Sequence, residues 1–362
     1  MSDWQLKFLA IGWLSGALGL GFISLIGATW YDLRQIQRQK RAKKAPGKRP
    51  LISVVIWADN SERCVEDCLK SITAVSYRKY EVIVIDNASK DATKALIRQF
   101  IAAHPKKTVK LVAKRRRGEL KQELPKLLKK PIKGDLMLVL GADYRLAKDS
   151  LTRAADRLAA DPEIASLTPR VLVLASPTIL SLIERFESQV SGVWQKLASV
   201  AKRTPGAGSV ALHRTSSIKS DASKAVYAAE VVIYRQPGNS YKRLLEQPRS
   251  SVARGLALSL PFATGYFSYL AIVSHYTYPL ALSWAAFSFW LILAAWTDEH
   301  QALKSKLELA LMAPVMFGLL SILMAVRLIF QIYKLERRAL KALGALLRRA
   351  KPSGLKTQTN QA

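Results

Sequence analysis

Three apolar runs of this 362-residue chain each lead into acidic or amide side chains, the residue types that hold polar ligands. The candidate site residues at the ends of these runs are Trp57, Asp59, Asp86, Asn87 and Asp143. In an open α/β sheet, ligands bind outside the carboxyl ends of the strands. The spacing therefore predicts one binding site for a polar ligand, formed where several strands end.

The elements that must position these side chains follow from hydrophobic runs that alternate with helical patterns. The predicted strands are Leu51–Trp57, Glu81–Ile85, Val109–Ala113 and Leu136–Leu140. A helix is expected over Glu62–Ile72, with Ser61 as its cap, and a second is expected to open at Ser89 and Asp91. Strands and helices that alternate in this way predict βαβ units, so the expected fold class is α/β with a parallel sheet.

Half of the chain is hydrophobic, yet its net charge is +30, a combination typical of a membrane protein with a basic cytoplasmic part. The uncharged run Phe8–Trp30 is long enough to cross a bilayer, and the basic residues after it predict an external N-terminus. The expected division is a transmembrane anchor over 1–31, a basic linker over 32–50, a cytoplasmic domain over 51–255, a membrane region of two or three hydrophobic segments over 256–333 and a basic amphipathic tail over 334–362. The expected location is the inner cell membrane, with several crossings.

Two further features each leave two interpretations open. The basic stretch Lys106–Lys133 either binds anionic lipid headgroups or nucleotide phosphates, or is a solvated surface. Nucleic acid is not expected as a partner, because this stretch has no aromatic residues for base stacking. Cys64 and Cys68 are either half of a metal site or two small core residues, and the lack of nearby ligands favours the core.

The motif Asp86-Asn-Ala-Ser-Lys-Asp91, together with Trp57–Asn60 and Gly141–Asp143, resembles the donor-binding half of family-2 glycosyltransferases. The likeness is to the membrane-bound polysaccharide-synthase type, and Asp298-Glu299 resembles a feature of poly-N-acetylglucosamine synthases. The resemblance implies a glycosyltransferase-A-like domain and a nucleotide-sugar donor. It also implies Mg²⁺ or Mn²⁺ at Asp143, and a pyrimidine contact at Asn87.

The second half of the family pattern is altered. Gly141 stands where the family has the first Asp of its metal motif, and Gln247–Gly255 occupies the place of Gln-x-x-Arg-Trp without its Trp. Ile183-Glu184 resembles the acceptor-side helix, but no Thr-Glu-Asp motif follows, which leaves Asp221 and Glu230 as the nearby carboxylates. The catalytic residues are therefore unassigned.

Three functions remain open on these residues. The chain is an inverting transferase that adds sugar to an envelope polysaccharide or glycan, or a non-catalytic subunit or scaffold that works with polysaccharide-synthase partner proteins. The third is a basic membrane-associated binding protein that shares only the fold, since fold alone does not determine function.

Overall fold

The computed structural model describes residues 3–42, 49–105, 108–118, 132–201, 210–217, 224–238, 278–296 and 302–316, with scattered helical positions between 318 and 333. The helices are α1 (Asp3–Ala42), α2 (Val65–Thr73), α3 (Thr93–Ala103), α4 (Ser150–Ala160), α5 (Ile179–Val200) and α6 (Tyr278–Trp296). The strands are β1 (Ile52–Ala58), β2 (Tyr80–Asp86), β3 (Val109–Ala113), β4 (Leu136–Gly141), β5 (Tyr144–Leu146), β6 (Ile164–Val173), β7 (Ala211–Arg214) and β8 (Lys224–Arg235).

All eight strands join one sheet, in the order β3-β2-β1-β4-β7-β6-β8-β5. The half formed by β3, β2, β1 and β4 is parallel, whereas β7 runs antiparallel to both of its neighbours. The parallel arrangement expected for the four predicted strands is confirmed, and the strands β5 to β8, which were not predicted, add a mixed second half. The α/β class and the first four predicted strands are confirmed, each with ends within one residue of those expected.

The parallel half is buried on both faces, which is why its strands read as continuous apolar runs. On one face, Ile52, Val54 and Ile56 pack in the main core with residues of α2 and α4. On the other face, Val55 packs with residues of β2 and β4, and the half-buried ring of Trp57 borders this second cluster.

The helix after β1 begins later than the sequence predicted. Cys64 is the residue before the first helical position, and its side chain makes no capping bond. Ser61 instead shapes the loop, because its hydroxyl accepts a hydrogen bond from the Asp59 N–H and its carbonyl accepts bonds from Cys64 and Val65. The expected Ser61 cap was therefore wrong.

Helix α1 runs without a break through the predicted anchor and into the predicted linker. Its C-terminal half packs on the sheet: the Tyr31 hydroxyl donates to the Tyr227 carbonyl at 2.7 Å, and Gln35 donates to Glu230 at 3.0 Å. Lys196 of α5 pairs with Asp32 at 2.6 Å. This end of α1 is thus part of the folded domain.

In the part of the chain that the structure describes, no helix is both long and apolar enough to cross a membrane. The described residues therefore do not support the predicted transmembrane anchor at Phe8–Trp30. Residues 256–277 of the predicted membrane region and the predicted basic tail over 334–362 lie outside the described residues.

A tight turn at Gly134 leads into β4 and has no room for a side chain. A Cβ atom there would lie 2.6 Å from the Ser53 backbone nitrogen and 2.7 Å from the Leu136 carbonyl oxygen. The Gly134 N–H also donates to the Ser53 hydroxyl, which in turn donates to the buried carboxylate of Glu81 at 2.6 Å. This turn fixes the start of β4 against β1.

We predict that Gly134→Ala lowers the free energy of unfolding by about 1–3 kcal/mol, because the backbone atoms that it would meet cannot move aside. Urea denaturation followed by circular dichroism measures the change. Gly16→Ala is the matched control, since a Cβ at Gly16 meets nothing within 4 Å. Equal unfolding midpoints for wild type and Gly134→Ala would contradict the assigned role of this turn.

Candidate functional site

An open cleft of about 980 Å³ lies at the carboxyl edge of the parallel half of the sheet. Its walls are the β1–α2 loop, the β2–α3 loop, the end of β4 and the segment that follows β8. Of the five candidate site residues, Trp57, Asp59 and Asp143 line this cleft. Asp86 and Asn87 lie beside it, buried below the loops, with 2% and 3% of their surfaces exposed.

The Asn87 side chain faces the basic segment after β3. Its carbonyl oxygen accepts a hydrogen bond from the Gly118 N–H at 2.9 Å, and its amide donates to the Gly118 carbonyl at 3.2 Å. The predicted contact of Asn87 with a pyrimidine therefore requires that Gly118 give up the first of these bonds. Asp86 accepts from the Ser89 N–H at 3.2 Å and so shapes the turn after β2.

The basic segment also contacts the loop after β1. Arg117 pairs with the Asp59 carboxylate at 2.9 Å, and the Lys114 ammonium lies 5.5 Å from the centre of the Trp57 ring. A cation in that range is attracted by the ring's π-electrons. The structure thus brings part of the predicted basic stretch onto two of the candidate site residues.

Two loop residues adopt left-handed backbone conformations, Asn60 in the cleft wall and Ala88 in the β2–α3 loop. Asn60 has φ 47° and Ala88 has φ 53°. Asn tolerates this region, whereas for Ala it costs about 1–2 kcal/mol. The Asn60 side chain accepts a hydrogen bond from the Lys90 N–H at 2.9 Å, which ties the two loops together. Strain of this kind persists where surrounding contacts determine the backbone, commonly at functional sites.

The donor set near Asp143 does not fit a metal ion held by the protein. Within the described residues, no group of three or more His, Cys, Asp or Glu side chains could hold a metal. Gly141 offers no carboxylate, and a Cβ atom at that position would run into Oδ1 of Asp143. A carboxylate at position 141 would therefore require the Asp143 side chain to shift.

A buried ion pair holds the far wall of the cleft. Glu184 of α5 and Arg235 of β8 pair at 2.8 Å, with only 2% and 5% of their side chains exposed. The same carboxylate oxygen accepts from the Gly238 N–H at 3.0 Å, and the Gln236 N–H donates to the Asp143 carbonyl at 2.8 Å. The segment after β8 is thus fixed both to Asp143 and to the ion pair.

Of the two carboxylates that the sequence suggested as a catalytic base, the structure describes only Glu230. Glu230 is 7% exposed and takes part in the packing of α1, where Gln35 donates to it and Arg157 lies 3.6 Å away. It does not line the cleft. Asp221 lies outside the described residues. The catalytic base therefore stays unassigned.

Arg63, Cys64 and Lys90 are among the residues of the cleft wall that the sequence analysis missed as site residues. Lys90 lies inside the Asp86–Asp91 motif, so its position was a usable signal. Arg63 and Cys64 enter the wall because α2 begins only at Val65, which leaves them in a loop. The two cysteines thus have different places: Cys68 is a core residue, and Cys64 borders the cleft.

We predict that iodoacetamide modifies Cys64 and spares Cys68 in the folded protein. Burial raises the pKa of the Cys68 thiol, so that little reactive thiolate forms, and no reagent reaches its fully buried side chain. Peptide mapping by mass spectrometry measures both sites, and Cys64→Ser is the control. Equal modification of both cysteines before unfolding would contradict the placement of Cys68.

Comparisons with known proteins give a family match for part of the chain. Residues 53–207 match the family model described as glycosyl transferase family 2. It is 42% identical over 57 residues to the glycosyltransferase AglE of Haloferax volcanii, which is 15% of this chain and 19% of that protein. The chain spans about a fifth of the length of the curated relatives that it matches, 19% and 22%.

The chain is also similar to solved structures, two of which follow. One is the mannosyltransferase PcManGT of Pyrobaculum calidifontis in complex with GDP-Man and Mn²⁺, at 19% identity and a TM-score of 0.47, covering 89% of this chain and 99% of that one. The other is residues 1–349 of S. aureus TarS in complex with UDP-GlcNAc, at 13% identity and a TM-score of 0.37, covering 78% of this chain and 91% of that one.

Proposed function

We propose that the cleft binds a nucleotide-sugar donor and that the chain transfers the sugar to a glycan or polysaccharide of the cell envelope. The observation that carries this proposal is the position of the cleft within the family-2 domain. Its loops after β1 and β2 and the end of β4 all belong to the matched residues 53–207. A volume of about 980 Å³ is also adequate for a nucleotide-sized ligand.

The residues of the cleft suggest how the donor is held. Trp57 offers an aromatic face for a ring, and the carboxylates of Asp59 and Asp143 can accept hydrogen bonds from hydroxyl or ring N–H groups. The predicted pyrimidine contact at Asn87 completes the base site if Gly118 moves. Asp143 would be the one protein carboxylate that holds Mg²⁺ or Mn²⁺ here. The binding experiment below is therefore carried out with each metal and without metal.

The second candidate function is a non-catalytic subunit or scaffold of a polysaccharide assembly. It is favoured by one observation: the packing of α1 already uses Glu230, the described carboxylate that the sequence offered as a base. Deprotonation of an acceptor hydroxyl by a positioned base contributes about 10²–10⁴ in rate. A chain without such a base would bind the donor and transfer sugar slowly or not at all.

Donor binding is tested with UDP and GDP by isothermal titration calorimetry in Mg²⁺, in Mn²⁺ and in EDTA. We expect one of them to bind, and Asp143→Ala to weaken binding about tenfold, since it removes a charged hydrogen-bond acceptor from the cleft. Asp156→Ala is the matched control, because Asp156 is exposed on α4 outside the cleft. The bound nucleotide should also slow the modification of Cys64.

Sugar transfer is tested by donor consumption with UDP- and GDP-sugars, for wild type and Asp143→Ala, with and without proteins encoded nearby. Turnover by the isolated chain that depends on Asp143 supports the transferase. Binding without turnover, or turnover only with a partner protein, supports the second function. No binding of either nucleotide at millimolar concentration contradicts both.

We also propose that the protein is attached to the inner membrane with its main domain in the cytoplasm. Large apolar side chains of α1 stand exposed, among them Trp4, Phe8 and Phe22, and they precede a basic flank. A membrane-impermeant maleimide should label Cys64 only after cells are permeabilised. Labelling of Cys64 in intact cells would contradict this topology.

A further inference from the structure

Most acidic side chains around the cleft are already engaged by other groups of the protein. Asp59 pairs with Arg117, and Glu62 accepts a hydrogen bond from the Ala92 N–H at 3.1 Å. Asp91 accepts from the Thr93 hydroxyl at 2.6 Å and from the Glu62 N–H at 3.1 Å. Burial acts to raise the pKa of Asp91, but these hydrogen bonds outweigh it, and its pKa lies below the ordinary value. These carboxylates therefore brace the two loops.

Two cationic side chains in the same cleft walls, by contrast, are not paired with a described carboxylate. Arg63 and Lys90 line the cleft and are exposed to solvent. Among the residues that the structure describes, no carboxylate lies within 4.0 Å of either charged group, whereas Lys70 and Arg145 nearby are both paired. A guanidinium and an ammonium that face an open cleft are suited to bind phosphate oxygens.

The polar groups beside Asp143 also favour binding of the diphosphate by cationic side chains. A nucleoside diphosphate carries negative charge that its site must balance. The described residues beside Gly141 offer a divalent ion one carboxylate, Asp143, which is the smallest number with which Mg²⁺ is usually held against substrate phosphates. Cations of the protein are therefore well placed to balance the charge of a bound diphosphate.

We propose that Arg63 and Lys90 bind the diphosphate of the donor directly and make nucleotide binding independent of a divalent metal. The inference rests on the proposed donor site and adds the groups that recognise its phosphates. The loops that carry both residues are tied together by the bond from the Lys90 N–H to Asn60, so the two cations are presented on one braced surface.

The experiment measures the affinity of the full-length protein for UDP, GDP and the corresponding monophosphates, each in EDTA and in Mg²⁺. We expect the better of the two diphosphates to bind equally well in both conditions. Arg63→Gln and Lys90→Gln should each weaken its binding about tenfold, because each removes a charge-assisted hydrogen bond to phosphate. Binding should also weaken as salt increases, since the attraction is between solvent-accessible charges.

Arg98→Gln and Lys79→Gln are the matched controls, because they make the same charge changes at exposed positions outside the cleft. Monophosphate binding should be less sensitive to the cleft variants than diphosphate binding, which separates phosphate recognition from a general loss of structure. Thermal unfolding of each variant checks that the fold is retained.

The two levels of the hypothesis fail differently. If neither nucleotide binds under any condition, the proposed donor site itself is wrong. Binding only with Mg²⁺ or Mn²⁺ would contradict the metal-independent diphosphate contact, and so would equally tight binding to the Arg63 and Lys90 variants and to the controls. Either result would leave the proposed donor site intact. Equal binding in EDTA together with selective loss in both cleft variants supports it.

Discussion

The pairing of β1 with strands on both sides is the constraint on which the rest of the structure depends. β1 is parallel to β2 and to β4, with Ala58 opposite Asp86 and Trp57 opposite Gly141. The loops after these three strands therefore leave the sheet at one edge and form the walls of one cleft. A slip of one residue would turn every side chain of β1 to the other face of a sheet that is buried on both sides. The register is thus set by the two cores.

The parallel half of the fold could be read from sequence because its signals are local. Val54, Val55 and Ile56 sit in an apolar run that fits only a strand buried on both faces, and β2 and β4 repeat that pattern. The second half could not be read in this way. β8 contains Glu230 and Arg235, which look like surface residues but are buried by partners from α1, α4 and α5. Those partners are distant in sequence, so no local pattern reveals them.

The candidate site, like the fold, could be predicted from sequence only in part. Sequence identified the strand ends correctly as positions, but not which side chains reach the cleft. Asn87 and Asp86 stay buried beside it, where Gly118 and the Ser89 N–H make hydrogen bonds with them. Arg63 and Cys64 reach it because α2 starts late. Such outcomes depend on individual loop bonds and on left-handed residues such as Ala88, which hydrophobic patterning does not encode.

A single strand links the two ends of this molecule. β8 meets α1 at Tyr227, and Gln236, just past its end, borders the cleft beside Asp143. Strand β6 runs beside this part of β8, from Thr168 opposite Tyr227 to Val173 opposite Arg235, and β8 bulges between Ala228 and Val232. These five steps of β6 span about 17 Å, at a rise of about 3.3 Å per residue. The sheet therefore keeps the C-terminal half of α1 and the cleft apart, and an acceptor held beside α1 must extend along the sheet to reach the cleft.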